Sequence, residues 1–261
     1  MIMAMRMASF SPLATEIICA LGLRESLVAR GADCVFPPEA RTALLLAEAD
    51  DQALAALRLD HVIASQSIPA AALTGLEAAI EHIGALTGAR DEAARLTAEI
   101  RARLDAVRQR VSAAAHRPTV AVLTGISPLF GGEAWIMEQV EWAGGRPMIG
   151  DEGQPARTHS WDDVVWVQPE MLILAARGCD VAEGIRQFNT LSDHALWRDL
   201  PATYLNQIYV ADGGLFAQPG PGAITGAEVL AGLLHPDVWP FPSAAQAARV
   251  SQMLRINLRA S

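Results

Sequence analysis

The stretch Asp91 to Ala115, DEAARLTAEIRARLDAVRQRVSAAA, decides the fold. Apolar residues recur at Leu96, Ile100, Leu104, Val107 and Val111, the spacing that lines one face of a 3.6-residue helix. Gly88 before it and Pro118 after it are natural boundaries. Short strand-like runs lie on both sides. One long helix between two α/β halves predicts a strut with a lobe at each end. The expected division is 1–90 for the first lobe, 91–116 for the helix and 117–261 for the second lobe.

A chain of 261 residues is long enough for two lobes, each with its own core. It is 51% apolar, yet no apolar run reaches the roughly 18 residues that span a bilayer. The net charge is −9 and the basic residues are scattered, which argues against nucleic acid. All 20 basic residues are Arg. With no Lys, a P-loop lysine, a Schiff base and a Ser-Lys dyad are excluded. The Met-rich start, Met1 to Phe10, reads as a first strand and lacks the three-part layout of a signal peptide. That predicts a cytoplasmic protein or one already trimmed. Cys19, Cys34 and Cys179 form no CxxC and no metal-type spacing.

In chain order, a strand over Arg6 to Phe10 leads to Ser11 as N-cap and Pro12 in the first turn of a helix ending at Gly22. Strands are predicted at Leu27 to Arg30 and His61 to Ala64, with short helices over Asp50 to Leu57 and from Leu73 to Leu86. After Pro118 come a strand over Thr119 to Leu123, a loop GISPLFGG over Gly125 to Gly132, and a helix from Trp135 stopped at Gly144-Gly145. Ser160 caps a short helix, Met171 to Ala176 is an apolar strand, and Asp180 caps another helix. Gln207 to Val210 is the last strand. A loop, DGGLFAQPGPG, spans Asp212 to Gly222, and helices follow over Ile224 to Leu234 and from about Ala244 to Leu258. This alternation predicts an α/β fold of two Rossmann-like lobes with parallel sheets.

Ligands of open α/β sheets sit beyond the carboxyl ends of the strands. Those ends are Phe10-Ser11, Asp33-Cys34, Ser65-Gln66, Gly125 to Gly132, Arg177 to Asp180 and Asp212 to Gly222. They carry Phe36, Phe130, Trp135, Trp161, Leu215 and Phe216, with few ionisable groups: Asp33, His159, Arg177 and Asp180. An aromatic-lined cleft with so few acid–base groups reads as a binding site. His159 beside Ser160 and Asp162 suggests acid–base work, but sequence neighbours do not form an aligned relay. Cys34 and Cys179 could hold a metal or heme, though their spacing offers no support. Trp142, Trp166 and Trp197 lie in helical stretches and are expected in the core.

The motifs resemble a family. SFSPLATEIICALGL (Ser9 to Leu23), DCVFPPEAR (Asp33 to Arg41), LRLDHVIAS (Leu57 to Ser65), SPLFGGEAWIMEQVEWAGG (Ser127 to Gly145), HSWDDVVWVQPEMLILAARGCD (His159 to Asp180) and YVADGGLFAQPGPGAITGAEVLAGLLHPD (Tyr209 to Asp237) match in order and spacing. They resemble the cobalamin, heme and siderophore-type substrate-binding proteins of ABC importers, nearest the cobalamin-binding-like branch. The resemblance covers nearly the whole chain. It implies two lobes on one backbone helix, no enzymatic activity, no covalent cofactor, and a ligand held in the interlobe cleft.

The resemblance implies that the ligand, cobalamin or a related corrinoid or iron chelate, contacts Phe36, Phe130, Trp135, Leu215 and Phe216. Ser11, Pro12, Cys34, Gly131, His159, Trp161, Arg177 and Gln218 stand in the same loops. It also implies docking on a permease through one surface carboxylate per lobe. Asp162 stands at the second position; the first falls on Gln52, beside Asp50 and Asp51. Two departures stand out. The family's last cleft loop carries Arg where this chain has Gln218 and Gly222, and a helix and strand are missing after Gln66, which shortens the first lobe. The alternatives are a cytoplasmic corrinoid- or chelate-binding protein without a transporter, and an enzyme using His159 and Asp180.

Overall fold

The computed structural model describes residues 5–46, 51–64, 72–151, 154–191, 197 and 199–250. The chain is α/β and divides into two compact units. Unit 1 is Met1–Arg103 with Gln218–Gly222; unit 2 is Leu104–Ala217 with Ala223–Ser261.

Unit 1 is built on a four-stranded parallel sheet: β1 (Met7–Ser9), β2 (Leu27–Arg30), β3 (Leu44–Leu45) and β4 (His61–Ile63), in the order β3-β2-β1-β4. The pair Leu44–Leu45 was not expected, because two exposed residues carry no alternation to read. Helix α1 (Pro12–Ala20) follows β1 and buries Leu13, Ala14, Ile17 and Ile18. Its start is as the sequence predicts: Ser11 is the N-cap, its hydroxyl accepts from the Ala14 N–H at 3.3 Å, and Pro12 fills the first position. α2 (Asp51–Ala56) has no buried residue. α3 (Leu76–Thr87) buries Ile80 and Ile83 and ends at Gly88, whose φ of 71° makes a left-handed cap. Asp50 and Ser65-Gln66 lie outside the described residues.

The long helix is α4 (Arg90–Val111), 22 residues. Ala93, Ile100, Val107 and Val111 form its buried face. The boundary between the two units falls within it, after Arg103.

Unit 2 holds a seven-stranded sheet. The strands are β5 (Thr119–Ile126), β6 (Leu129–Gly131), β7 (Arg146–Pro147), β8 (Arg157–His159), β9 (Met171–Leu174), β10 (Ile208–Ala211) and β11 (Ala247–Arg249). The order is β11-β10-β9-β5-β6-β8, with β7 also on β5. Between them run α5 (Ala134–Trp142), α6 (Trp161–Trp166), α7 (Val181–Leu191), α8 (Pro201–Tyr204) and α9 (Pro221–Leu234). β5, β9 and β10 are parallel and fully buried at Leu172, Ile173, Leu174, Ile208 and Val210.

This sheet is mixed, which corrects the parallel expectation. β6 runs antiparallel to β5, β8 to β6 and β11 to β10. The stretch GISPLFGG is a hairpin, with Ile126 paired to Leu129 across Ser127-Pro128. The helix expected from Ala244 is also corrected: Ala247–Arg249 pairs with Tyr209 to Ala211 as an edge strand. Alanine's helix preference yields there to the unfilled hydrogen bonds of β10. Residues 251–261 lie outside the described residues. Among the described residues, no helix is long and apolar enough to cross a membrane.

Candidate functional site

At the carboxyl end of β1, small polar groups form a buried cluster. The Thr15 hydroxyl donates to Ser9 Oγ at 2.8 Å, and Ser9 Oγ donates to the Ser11 carbonyl at 3.0 Å. The Cys34 thiol donates to the Ser9 carbonyl at 3.4 Å. Burial pushes this thiol up, and pushes Cys179 up as well. Neither is set up as a thiolate metal ligand. Cys179 Sγ instead accepts from the Gln187 amide at 3.2 Å.

Next to Thr15 on the same helix, Glu16 is 4% exposed. Its carboxylate accepts from the Gln218 side-chain amide and from the Gly222 backbone N–H. Gln218 also donates to the Pro12 carbonyl at 3.1 Å. Burial pushes the Glu16 carboxyl up to about 7, against the pull of the Gln218 and Gly222 donors. A Cβ on Gly222 would stand 2.8 Å from both Glu16 Oε1 and Phe36 Cε1, so a side chain there would push against both. Where the resemblance implies Arg donors, this chain has a carboxylate already engaged with the loop.

In unit 2, the segments after β6 and β9 meet at Glu133 and Arg177. Glu133 precedes α5 and is 2% exposed. Its Oε1 accepts from the Thr124 hydroxyl at 2.5 Å and pairs with Arg177 Nη2 at 2.5 Å. The Arg177 side chain is 46% exposed. Its guanidinium carbon lies 5.5 Å from the Phe130 ring centroid and 5.9 Å from that of Trp135. Such spacings are within cation–π range. Trp135 is oriented in turn by Nε1–H donating to the Phe216 carbonyl at 3.0 Å. The result is a half-open cation set over two aromatic faces, a surface suited to a flat ligand with polar edges.

A family model for periplasmic binding proteins matches residues 61–214, more than half of the chain. The chain belongs to this family. Its fold is also that of solved binding proteins. It is similar to a periplasmic heme binding protein from Pseudomonas aeruginosa at 18% identity and a TM-score of 0.76, over 94% of this chain and 99% of that one. It is similar to the periplasmic vitamin B12 binding protein BtuF of Vibrio cholerae at 19% identity and a TM-score of 0.69, over 88% and 96% of the two chains. It is likewise similar to the periplasmic heme-binding protein RhuT of Roseiflexus sp. RS-1, at 21% identity and a TM-score of 0.68, over 89% and 98%. No curated protein sequence matches it significantly.

The residues singled out from sequence are only partly brought together. Phe130, Trp135 and Arg177 come together as described. Ser11, Cys34, Gly131, Leu215, Phe216 and Gln218 are buried, and Phe216 has no exposed surface. Gly131 is held in β6, where a Cβ would stand 2.9 Å from the Val122 carbonyl oxygen. Leu215 and Phe216 sit in a 3-10 turn, Gly213–Phe216, and so present little or no side-chain surface to a ligand. Pro12 and Phe36 are half-buried in unit 1.

Nothing in the geometry builds an acid–base relay at His159. Its Nε2 lies 3.4 Å from the Gly131 carbonyl and its Nδ1 is buried without a partner among the described residues. Asp180 caps α7 through the Glu183 N–H at 2.8 Å. Trp161 packs edge-on against Trp197, centroids 4.7 Å apart. Asp163 is committed to the capping box with Ser160, while Asp162 beside it is exposed. Asp51 and Gln52 are exposed on α2. Trp166 departs from the core expectation: it is 87% exposed, because α6 turns its Val164 side inward. Glu16, Glu133 and Thr124 were missed, since single polar residues in apolar stretches carry no sequence signal of their partners.

Proposed function

We propose that this protein is a non-enzymatic solute-binding protein of an ABC importer, which captures a corrinoid or related planar metal chelate outside the cytoplasm and hands it to a permease. The observation that carries the reading is Arg177, half exposed over Phe130 and Trp135 and pinned by buried Glu133. Aromatic faces gain most from covering a large flat ligand, and the guanidinium supplies directional donors to its edge. Membership of the periplasmic binding protein family supports the same role. Among the described residues, no group of three or more His, Cys, Asp or Glu could hold a metal ion.

Asp162 on α6 and Asp51 and Gln52 on α2 are the positions proposed to meet the permease. Exposed ion pairs are individually weak, so docking would draw on several contacts. Gln52, an amide where a carboxylate is expected, favours a second reading, a corrinoid-binding protein without a transporter. Periplasmic delivery in an export assay would count against that one. For the primary reading, the protein is mixed with hydroxocobalamin, desalted, and its visible spectrum recorded. A retained corrin band is the expected result. A colourless protein, with no thermal shift from cobalamin, cobinamide, heme or ferric siderophores, would sink the reading.

A further inference from the structure

Glu133 is an unusual residue to bury beside a ligand surface. It occupies the N-cap position of α5, yet its side chain makes no capping hydrogen bond. It turns instead toward Thr124 and Arg177, and both reach the same oxygen, Oε1. The other oxygen, Oε2, is buried with no hydrogen-bond partner among the described residues. The charge of Arg177 is therefore matched by a carboxylate, while its side chain stays half exposed beside Phe130 and Trp135.

We propose that Glu133 sets the ligand class of this surface: by matching Arg177 in advance, it favours a planar chelate edged with neutral carboxamides over one edged with carboxylates. The inference rests on the solute-binding reading above. A carboxamide carbonyl accepts a charge-assisted hydrogen bond from the guanidinium and leaves the pair neutral. A ligand carboxylate at the same place puts two anions on one cation, with Glu133 buried where water screens little. Uncompensated charge of that kind is costly in a partly desolvated site. Arg157 lines a separate cavity of about 140 Å3 with Asp151, His159 and Asp163.

The test compares dicyanocobinamide, edged with amides, and hemin, edged with two carboxylates, by visible titration of the whole protein. The wild type is expected to prefer cobinamide. Glu133→Gln keeps an acceptor for Thr124 but unmatches Arg177, and should shift the affinity ratio toward hemin by about tenfold or more. The doubly neutral variant, Glu133→Gln with Arg177→Gln, should lose affinity for both ligands and return the ratio toward the wild-type value. Should Glu133→Gln not fold, Glu133→Ala in the same titration decides: a shift of the ratio toward hemin supports the inference, and an unchanged ratio overturns it. A wild type that prefers hemin, or a folded Glu133→Gln with an unchanged ratio, also overturns it while leaving the solute-binding reading intact. A wild type that binds neither ligand overturns both.

Discussion

The Glu16 carboxylate accepts a hydrogen bond from the Gly222 backbone N–H, 206 positions further along the chain. The Gln218 amide reaches the other carboxylate oxygen. Both oxygens thus face N–H donors, so a proton on either one sets donor against donor. Burial nevertheless raises this carboxyl from its ordinary value near 4.5 to about 7.

This raised value has a definite sign in the pH dependence of stability. A carboxyl that holds its proton more tightly when folded contributes stability that is full below about 4.5 and lost as pH rises toward about 7. Denaturant unfolding across that window should show wild type losing stability relative to Glu16→Gln as pH rises. A stability difference that stays constant with pH would show that Glu16 does not titrate there.

Two tryptophans separate core from surface. Trp197 is 1% exposed, packs against Phe188 at 5.5 Å and donates to the Leu191 carbonyl at 2.6 Å. Trp197→Ala should cost about 3–5 kcal/mol in chemical denaturation. Trp166→Ala, at an 87% exposed position, should stay within about 0.5 kcal/mol of wild type. Comparable losses from both would contradict the placement of α6.

Gly213 begins the turn after β10 against the carbonyl end of β9. A Cβ there would stand 1.9 Å from the Ala176 carbonyl oxygen, which belongs to backbone and cannot rotate away. Gly213→Ala should therefore destabilise by about 1–3 kcal/mol. Gly178→Ala makes a useful contrast: it meets nothing within 4 Å, but its φ of 75° disfavours any side chain. Thermal melts should rank Gly213→Ala as the more damaging of the two.

The aromatic faces yield a binding prediction. Phe130→Ala removes one ring beside Arg177 and should weaken retention of hydroxocobalamin about tenfold, with the melting temperature little changed. Equilibrium dialysis would read this directly. Undiminished binding would move the ligand away from this surface.

Local chemistry made much of the architecture legible. The Ser11-Pro12 start of α1, the Ser160 start of α6, the Gly88 stop and the apolar stripe of α4 are all set by residues within a few positions of one another. The parallel strands Leu27–Arg30 and Met171–Leu174 announce themselves by short apolar runs, Leu27 to Ala29 and Met171 to Leu174. The antiparallel additions were less visible. Ala247–Arg249 reads as helix by composition and becomes strand because β10 offers an open edge. Phe130, Trp135 and Arg177 could be singled out as aromatic and charged residues in strand-end loops, but nothing in the spacing showed that they stack.

The sequence by itself determined the order of elements, the long helix and the family, because caps, periodicity and motif order are properties of neighbouring residues. Only the tertiary structure decided that Glu16 holds Gln218 and Gly222, that Glu133 matches Arg177, and that Trp166 lies outside while Phe216 lies inside. The physical reason is distance along the chain. A buried carboxylate is tolerable only beside specific donors, and here those donors come from 44 and 206 positions away. No local pattern encodes that pairing until the strands have brought the loops together.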